Sequence, residues 1–594
     1  MPMNKHMRYA LKKETSEAMP KGSAAAAIRK MLPLLADEKK GVALTFVAVI
    51  VTSALNLVGP LIVGYVIDRY IGAGDYRGVI VFSGILLAVY ASAFVANYIQ
   101  MRVMGGVAQR TLWRLRNDVF GKLQELPLAF FNQNKTGDLI SRINSDTEKL
   151  NQFFSQFLMR FAGNFFIIVG SAVFILFINW RLALAALAPA VGIFVFTRAV
   201  SSWVRRTNSA SLTAGGALSA EIQESITNFK VILAFNRRDY FKTRFGAVNQ
   251  QNFRAAVRAG MANELFTPVF EFAGNIALLV VLVYGISLIL AGQLAVGLLV
   301  SFVLYVTRFY DPLREVARLW STFQVALAAW DRIGDILHFQ SDLELVRGGE
   351  GVRTGDAPVI EFRNVSFAYP EGKTVLRNIR FSFSHGKTYA LVGPTGGGKT
   401  TTASLIARLY DPTEGHVFLD GRDIRSYEHA ERAGKIGFIL QEPFLFTGTV
   451  RDNILYGNME SSRLSNEGLE KSLADAGLSE LLARFDKGLD TQVTQGGSLS
   501  LGQKQLIAFI RAVLRKPEIL VLDEATANID TVTEAQLERV LERLPKGTTK
   551  VIIAHRLNTI ENADEIFFVN GGEVVQAGSM GHAVDMLLHG KRKS

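Results

Sequence analysis

"YALVGPTGGGKTT", residues 389–401, decides the reading of the second half of this chain. Tyr389 to Val392 form a short apolar strand, a glycine-rich loop follows, and "TTASLIARLY" continues as a helix. Strand, loop and helix in that order are the context in which such a loop cradles phosphate; without it the same residues would be an ordinary turn. The loop comprises Gly393, Pro394, Thr395, Gly396, Gly397 and Gly398, and Lys399, Thr400 and Thr401 open the helix. Backbone N–H groups and the helix N-terminus favour a phosphate, Lys399 brings a positive charge to its oxygens, and Thr400 offers a hydroxyl to Mg²⁺.

Two further strand ends carry chemistry. "ILVLDEA", residues 519–525, is an aliphatic strand closing on two acids, and ligands of open α/β sheets bind at such carboxyl ends. Asp523 is expected to serve Mg²⁺ through water, and Glu524 to polarise the water that attacks a γ-phosphate. "VIIAHR", residues 551–556, repeats the pattern and presents His555 where an imidazole would touch that phosphate. A lone histidine is more often structural; the loop and the paired acids make this one a candidate contact.

Outward from this segment, 594 residues exceed one ordinary domain, and 49% hydrophobic residues with a mean hydropathy of +0.21 point to a membrane part joined to a soluble part. The absence of cysteine excludes disulfides, thiolate metal sites and cysteine nucleophiles. Six apolar stretches, at 41–66, 78–99, 157–178, 182–204, 265–291 and 294–316, are each long enough to cross a hydrocarbon core of roughly 30 Å. The long charged stretches 102–156 and 205–264 alternate with short connections, so the positive-inside rule places them, both termini and the phosphate-binding domain in the cytoplasm. The net charge of +12 then suits lipid headgroups, and six spans exclude a soluble nucleic-acid ATPase; no nucleic-acid partner is expected. The first forty residues are basic without a cleavable apolar core, so no secretory signal is read there. The expected division is a cytoplasmic segment 1–40, a six-helix all-α membrane domain 41–336, a linker 337–356 and an α/β domain 357–594 with a mainly parallel sheet.

With these motifs in this order, the chain from about residue 41 onward resembles a half-transporter of the ATP-binding cassette exporter family, with the type I exporter fold. "FFNQNKTGDLISRINSD", 130–146, resembles the family's first intracellular loop, whose transverse coupling helix docks on a nucleotide-binding domain; its Leu139, Ile143 and Leu150 spacing suits a helix, a short turn and a returning helix. "ESITNFKVILAFN", 224–236, resembles the stretch after the second coupling helix. The resemblance implies ATP and Mg²⁺ as cofactors. It makes Tyr369 of "VSFAYP" the adenine-stacking aromatic, Gln441 of "ILQEPFLF" a link between Mg²⁺ and the membrane domain, Glu524 the catalytic base and His555 the γ-phosphate switch.

The family's signature, LSGGQ, is here "LSLGQ", residues 499–503. In the family two cassettes meet head to tail, each ATP lying between one P-loop and the other chain's signature. Ser500, Gly502 and Gln503 are retained as nucleotide-facing residues, but Leu501 puts a side chain where backbone would approach ATP. "TQVTQGG", 491–497, and "ATANID", 525–530, also depart from the family's pattern, and all three face the partner. This distribution implies a heterodimer with one weak ATP site; a slow homodimer is the alternative. The expected activity is export of a hydrophobic or amphipathic solute (drug, lipid or peptide) across a bacterial inner or plasma membrane. An ATP-gated regulatory subunit is the rival reading, disfavoured by an intact base. Among polar residues in the spans, Glu271 is an intramembrane acid that would select cations or sit at the cytoplasmic boundary.

Overall fold

The computed structural model describes residues 9, 11, 29, 31–339, 343, 345–346, 357–369, 372, 374–458, 463–494, 499–523, 531–553, 562–578 and 581–582. The chain divides into two compact units, one of residues 11–124 with 136–339, the other of residues 1–10 and 125–135 with 340–594.

The first unit is all helical, and its described residues include six helices long and apolar enough to cross a membrane. The first membrane helix is Lys39–Val66, and the second, Tyr76–Gln124, continues unbroken far past its apolar part. Leu158–Ile178 and Trp180–Thr227 follow as the third and fourth; Asn179 between them caps the fourth by accepting from the Leu182 N–H. The fifth, Phe266–Leu290, is preceded by Arg238–Glu264, and the sixth, Val296–Leu337, again outruns its apolar segment. Pro60, Pro189 and Pro312 lie inside these helices, where packed neighbours and side chains can satisfy freed backbone groups.

The first and sixth membrane helices are fastened by polar groups. Tyr305 donates to the Leu57 carbonyl, Ser301 Oγ to the Pro60 carbonyl at 2.7 Å, and Asp68 accepts from the Gly297 and Leu298 N–H groups at 2.6 and 3.1 Å. The backbones meet where glycines face each other, since a Cβ on Gly297 would run into the Gly64 carbonyl. Below the apolar spans a second fastening joins the extension of the sixth helix to the segment that leads into the third. Arg332 donates twice to Asp146, which is 1% exposed, and the buried Arg142 guanidinium donates to the Arg332 carbonyl at 2.6 Å. Between second and third membrane helices lie the short helices Leu128–Gln133 and Thr136–Ser141, then a π-helical turn, Arg142–Asp146, which buries Arg142 and Asp146 together.

In the second unit, the larger sheet orders its strands Glu573–Gln576, Glu565–Asn570, Thr388–Val392, Thr549–Ile553, Ile519–Asp523, Ile436–Ile439; all neighbours are parallel except the first pair. Its central strands are buried on both faces, which is why 389–392 and 519–523 read as continuous apolar runs. A four-stranded antiparallel sheet, Thr374–Phe383, Ile360–Ala368, Glu414–Leu419 and Arg422–Asp423, packs on it through a core including Phe362, Phe383, Leu391, Val417 and Val521. A second core holds a helical part through Ile454, Leu473, Leu481, Ile507 and Leu537.

Candidate functional site

The candidate nucleotide site grows from the carboxyl ends of three parallel strands. Ile553 pairs with both Leu391 and Asp523, so the strands carrying the loop, the acid and "VIIAHR" end level. The chain turns sharply after Val392. Gly393 has φ +148° and lies against the Val569 carbonyl, which a Cβ would strike; Gly398, with φ +114°, caps the helix Lys399–Ile406. Both positions demand glycine, one for close approach and one for a left-handed cap. The loop therefore folds back over the helix N-terminus, where backbone N–H groups and the helix dipole favour an anion.

Lys399, 5% exposed, has its ammonium inside the loop, donating to the Gly393 and Pro394 carbonyls at 2.8 and 3.1 Å. Thr400 turns its hydroxyl to Asp523 Oδ1 at 3.5 Å, although the two are far apart in sequence, and Asp523 is 2% exposed. A hydroxyl and a buried carboxylate meeting beside a phosphate-type loop are hard oxygen donors that fit Mg²⁺ with phosphate oxygens and waters. Gln441 is exposed two residues beyond Ile436–Ile439, which pairs with Ile519–Asp523, and so emerges at the same end of the sheet.

Tyr369 stands at the flank of the loop. Its hydroxyl shares a 3.0 Å hydrogen bond with Thr401 Oγ1, and its ring meets Phe367 and Tyr410 edge to face at 4.9 and 5.4 Å between centroids. Tyr410 is a neighbour that sequence reasoning missed; nothing in "LIARLYDP" separates it from an ordinary core tyrosine, because its partners come from distant segments. Burial, with the Tyr369 hydroxyl nearby, raises the Tyr410 phenol above its usual range, so it stays protonated and hydrogen-bonding.

The signature stretch sits at the start of helix Leu501–Leu514. Ser500 and Gln503 form a reciprocal capping box: Ser500 Oγ accepts from the Gln503 N–H at 3.2 Å, and Gln503 Oε1 from the Ser500 N–H at 3.0 Å. Gln503 Nε2 also donates to the Arg484 carbonyl at 3.0 Å. The helix is held by a buried face including Leu506, Ile507, Phe509, Ile510 and Val513, each worth about 1.5–3 kcal/mol of burial, so its N-terminus is rigidly presented. Leu501, at the first helical position, is 45% exposed, and Gly502 follows it half-buried. Glu524 and His555, like residues 495–497 of "TQVTQGG" and 525–530 of "ATANID", lie outside the described residues.

Glu271, in the first turns of the helix Phe266–Leu290, is paired: Arg314 Nη1 lies 2.6 Å from its carboxylate, so a cation there would compete with a guanidinium.

Comparison with known proteins follows the same division. A family described as ABC transporter transmembrane region matches residues 42–313, and one described as ABC transporter matches residues 376–527. An ABC transporter ATP-binding protein of Bacillus subtilis (strain 168) named YfiC, called uncharacterized, is 34% identical over 93% of this chain and 91% of its own length. A fatty acid ABC transporter ATP-binding/permease protein of Mycobacterium bovis is 33% identical over 83% of this chain and 77% of its own. The ATP-dependent lipid A-core flippase of Salmonella typhimurium is 31% identical over 95% of this chain and 96% of its own.

Proposed function

The chain belongs to the ABC transporters, as an exporter-type half that joins a membrane domain to an ATP-binding cassette, and on that premise we propose that it works beside a second, unlike half. It is an integral, multi-pass membrane protein whose ATPase is coupled to transport. In the proposed arrangement residues 1–40 precede the membrane domain 41–336, and a linker 337–356 leads to the cassette 357–594. The cassette and both termini face the cytoplasm, across a bacterial inner membrane. The solute is an amphiphile with a long apolar part, a reading supported by relatives named for fatty acid and lipid A-core.

The observation that carries the unlike-halves reading is Leu501. An exposed leucine opens the signature helix, while Lys399, Thr400 and Asp523 converge at the other ATP-facing surface of the same cassette. Packing against the nucleotide of a partner's P-loop would crowd at Leu501, whereas the site built on this chain's own P-loop uses the partner's signature. The same reading assigns the membrane unit a surface that would receive another cassette, at the stretch 224–236. The helix Phe229–Ala234 and its neighbours leave Phe229 and Phe235 54% and 74% exposed, around an apolar cavity of about 320 Å³ lined by Ile222, Phe241 and Phe245. Exposed apolar surface of this kind marks interaction sites.

At the competent site, Tyr369 stacks on adenine, and the loop 393–398 with Lys399 holds the phosphates. Thr400, Asp523 and Gln441 hold Mg²⁺, which neutralises phosphate charge when bound. Glu524 accepts the proton of the attacking water and His555 touches the γ-phosphate. Ser500 uses its oxygen lone pair in the capping box, which leaves the hydroxyl hydrogen for a phosphate of the opposite site.

Phosphate release tests the reading. The purified chain alone should turn over feebly, because any self-pairing carries Leu501 in both sites, and Leu501→Gly should raise that rate several-fold. With the natural partner present, the same substitution should change turnover little. Vigorous transport-coupled hydrolysis by the unmodified chain alone would leave LSLGQ as a tolerated variant in a homodimer.

A further inference from the structure

We infer that Tyr410 and Asn132 are positioning residues that link adenine occupancy at Tyr369 to the helix Leu128–Gln133, a second route of coupling besides Gln441. The inference rests on the proposed adenine role of Tyr369.

Three contacts in sequence make the link, all within one compact unit. Thr401, in the first turn after the phosphate loop, shares a hydrogen bond with the Tyr369 hydroxyl at 3.0 Å. The Tyr369 ring meets Tyr410 nearly perpendicular, at 88° with centroids 5.4 Å apart. Phe367 touches both, 4.9 Å from Tyr369 and 5.5 Å from Tyr410, so neither ring can tilt without moving a third. The Tyr410 hydroxyl accepts from Asn132 Nδ2 at 2.7 Å, a contact bridging 278 positions of sequence. On the far side, the short helix is seated by Ala129 and Phe130, 5% and 0% exposed, and continued by Asn134, which donates to the Phe130 and Tyr9 carbonyls.

Packing alone would be served by phenylalanine at 410. The phenol instead ends on an amide of the one segment that leads by chain connectivity into the second and third membrane helices. A base stacked on Tyr369 restricts that ring, the restriction passes edge to face to Tyr410, and the hydroxyl holds Asn132 in one place. Removing the hydroxyl or the amide therefore leaves nucleotide binding in place and loosens its connection to the loop helix.

The chain's lack of cysteine allows a direct test. In the full-length transporter, purified with whatever second chain accompanies it, Lys135→Cys is spin-labelled and its spectrum followed on ATP addition, while ATP affinity is measured separately. Label mobility should fall with ATP in the otherwise unmutated protein. Tyr410→Phe and Asn132→Ala should each reduce that response roughly two- to tenfold, the scale of one lost hydrogen bond, with ATP affinity unchanged. Combined, they should do no more than either alone. A response undiminished in both variants, additive losses, or no response in the parent would overturn the link. Tyr369→Ala separates the premise: unchanged ATP affinity there would remove the adenine role itself, whereas weakened affinity with an intact response in Tyr410→Phe would remove only the relay.

Discussion

Thr400 and Asp523 show how single residues acquire a role by meeting. Neither is unusual alone, but a hydroxyl at the head of a helix and a carboxylate at a strand end come within 3.5 Å because their strands end level on either side of Thr549–Ile553. The next residue along, Glu524, is placed by sequence as the base. Glu524→Gln should retain ATP and lower steady-state phosphate release of the assembled transporter by about 10²–10⁴-fold, since an amide orients water but accepts no proton. Turnover near wild type would remove Glu524 from that role. Leu501 is the converse case: it stands 45% exposed at a capped helix start, and its meaning is sought in a partner.

At the scale of elements, the Asp146–Arg332 pair ties the segment leading into the third membrane helix to the extension of the sixth. Asp146→Ala would leave the Arg332 guanidinium, 21% exposed, and the ammonium of Lys149 without that acid. Breaking such a pair costs about 3 kcal/mol, and thermal unfolding of the purified protein should show the loss, with Asp146→Asn intermediate. An unshifted transition would mean that packing alone holds the two helices. This fastening was not legible in the sequence, whereas the membrane helices were. Apolar length located all six, because a span must be continuously apolar whatever surrounds it: residues 41–66 are expected and Lys39–Val66 is found. What composition hid is that the helices run on, to Gln124, Thr227 and Leu337, since a polar helix in water carries no period-independent signal. The π-helical turn that buries Arg142 with Asp146 depends on partners 190 and 186 positions away. In the cassette, the glycine loop and the aliphatic strands were readable because each is a local pattern. Tyr410 was not, because its meaning lies in Asn132.

For the whole molecule, orientation and composition of the assembly are the open physical quantities, and both can be measured on a chain without cysteine. Single cysteines at Tyr76 and Trp180, 75% and 60% exposed at the starts of their helices, should react with an impermeant reagent from outside the cell. Cysteines at Asn134 and Thr213 should react only after the membrane is opened, and the reverse pattern would invert the topology. The account's central claim is that this half works with an unlike partner: self-pairing would put Leu501 in both ATP sites, whereas a partner with an unobstructed signature would leave the site on this chain's own P-loop competent. The direct measurement is native mass spectrometry of the transporter gently extracted from its own membrane through a tag on this chain. The account predicts one copy of the 65.3 kDa chain with one copy of a different polypeptide; a particle of twice that mass containing only this chain would contradict it.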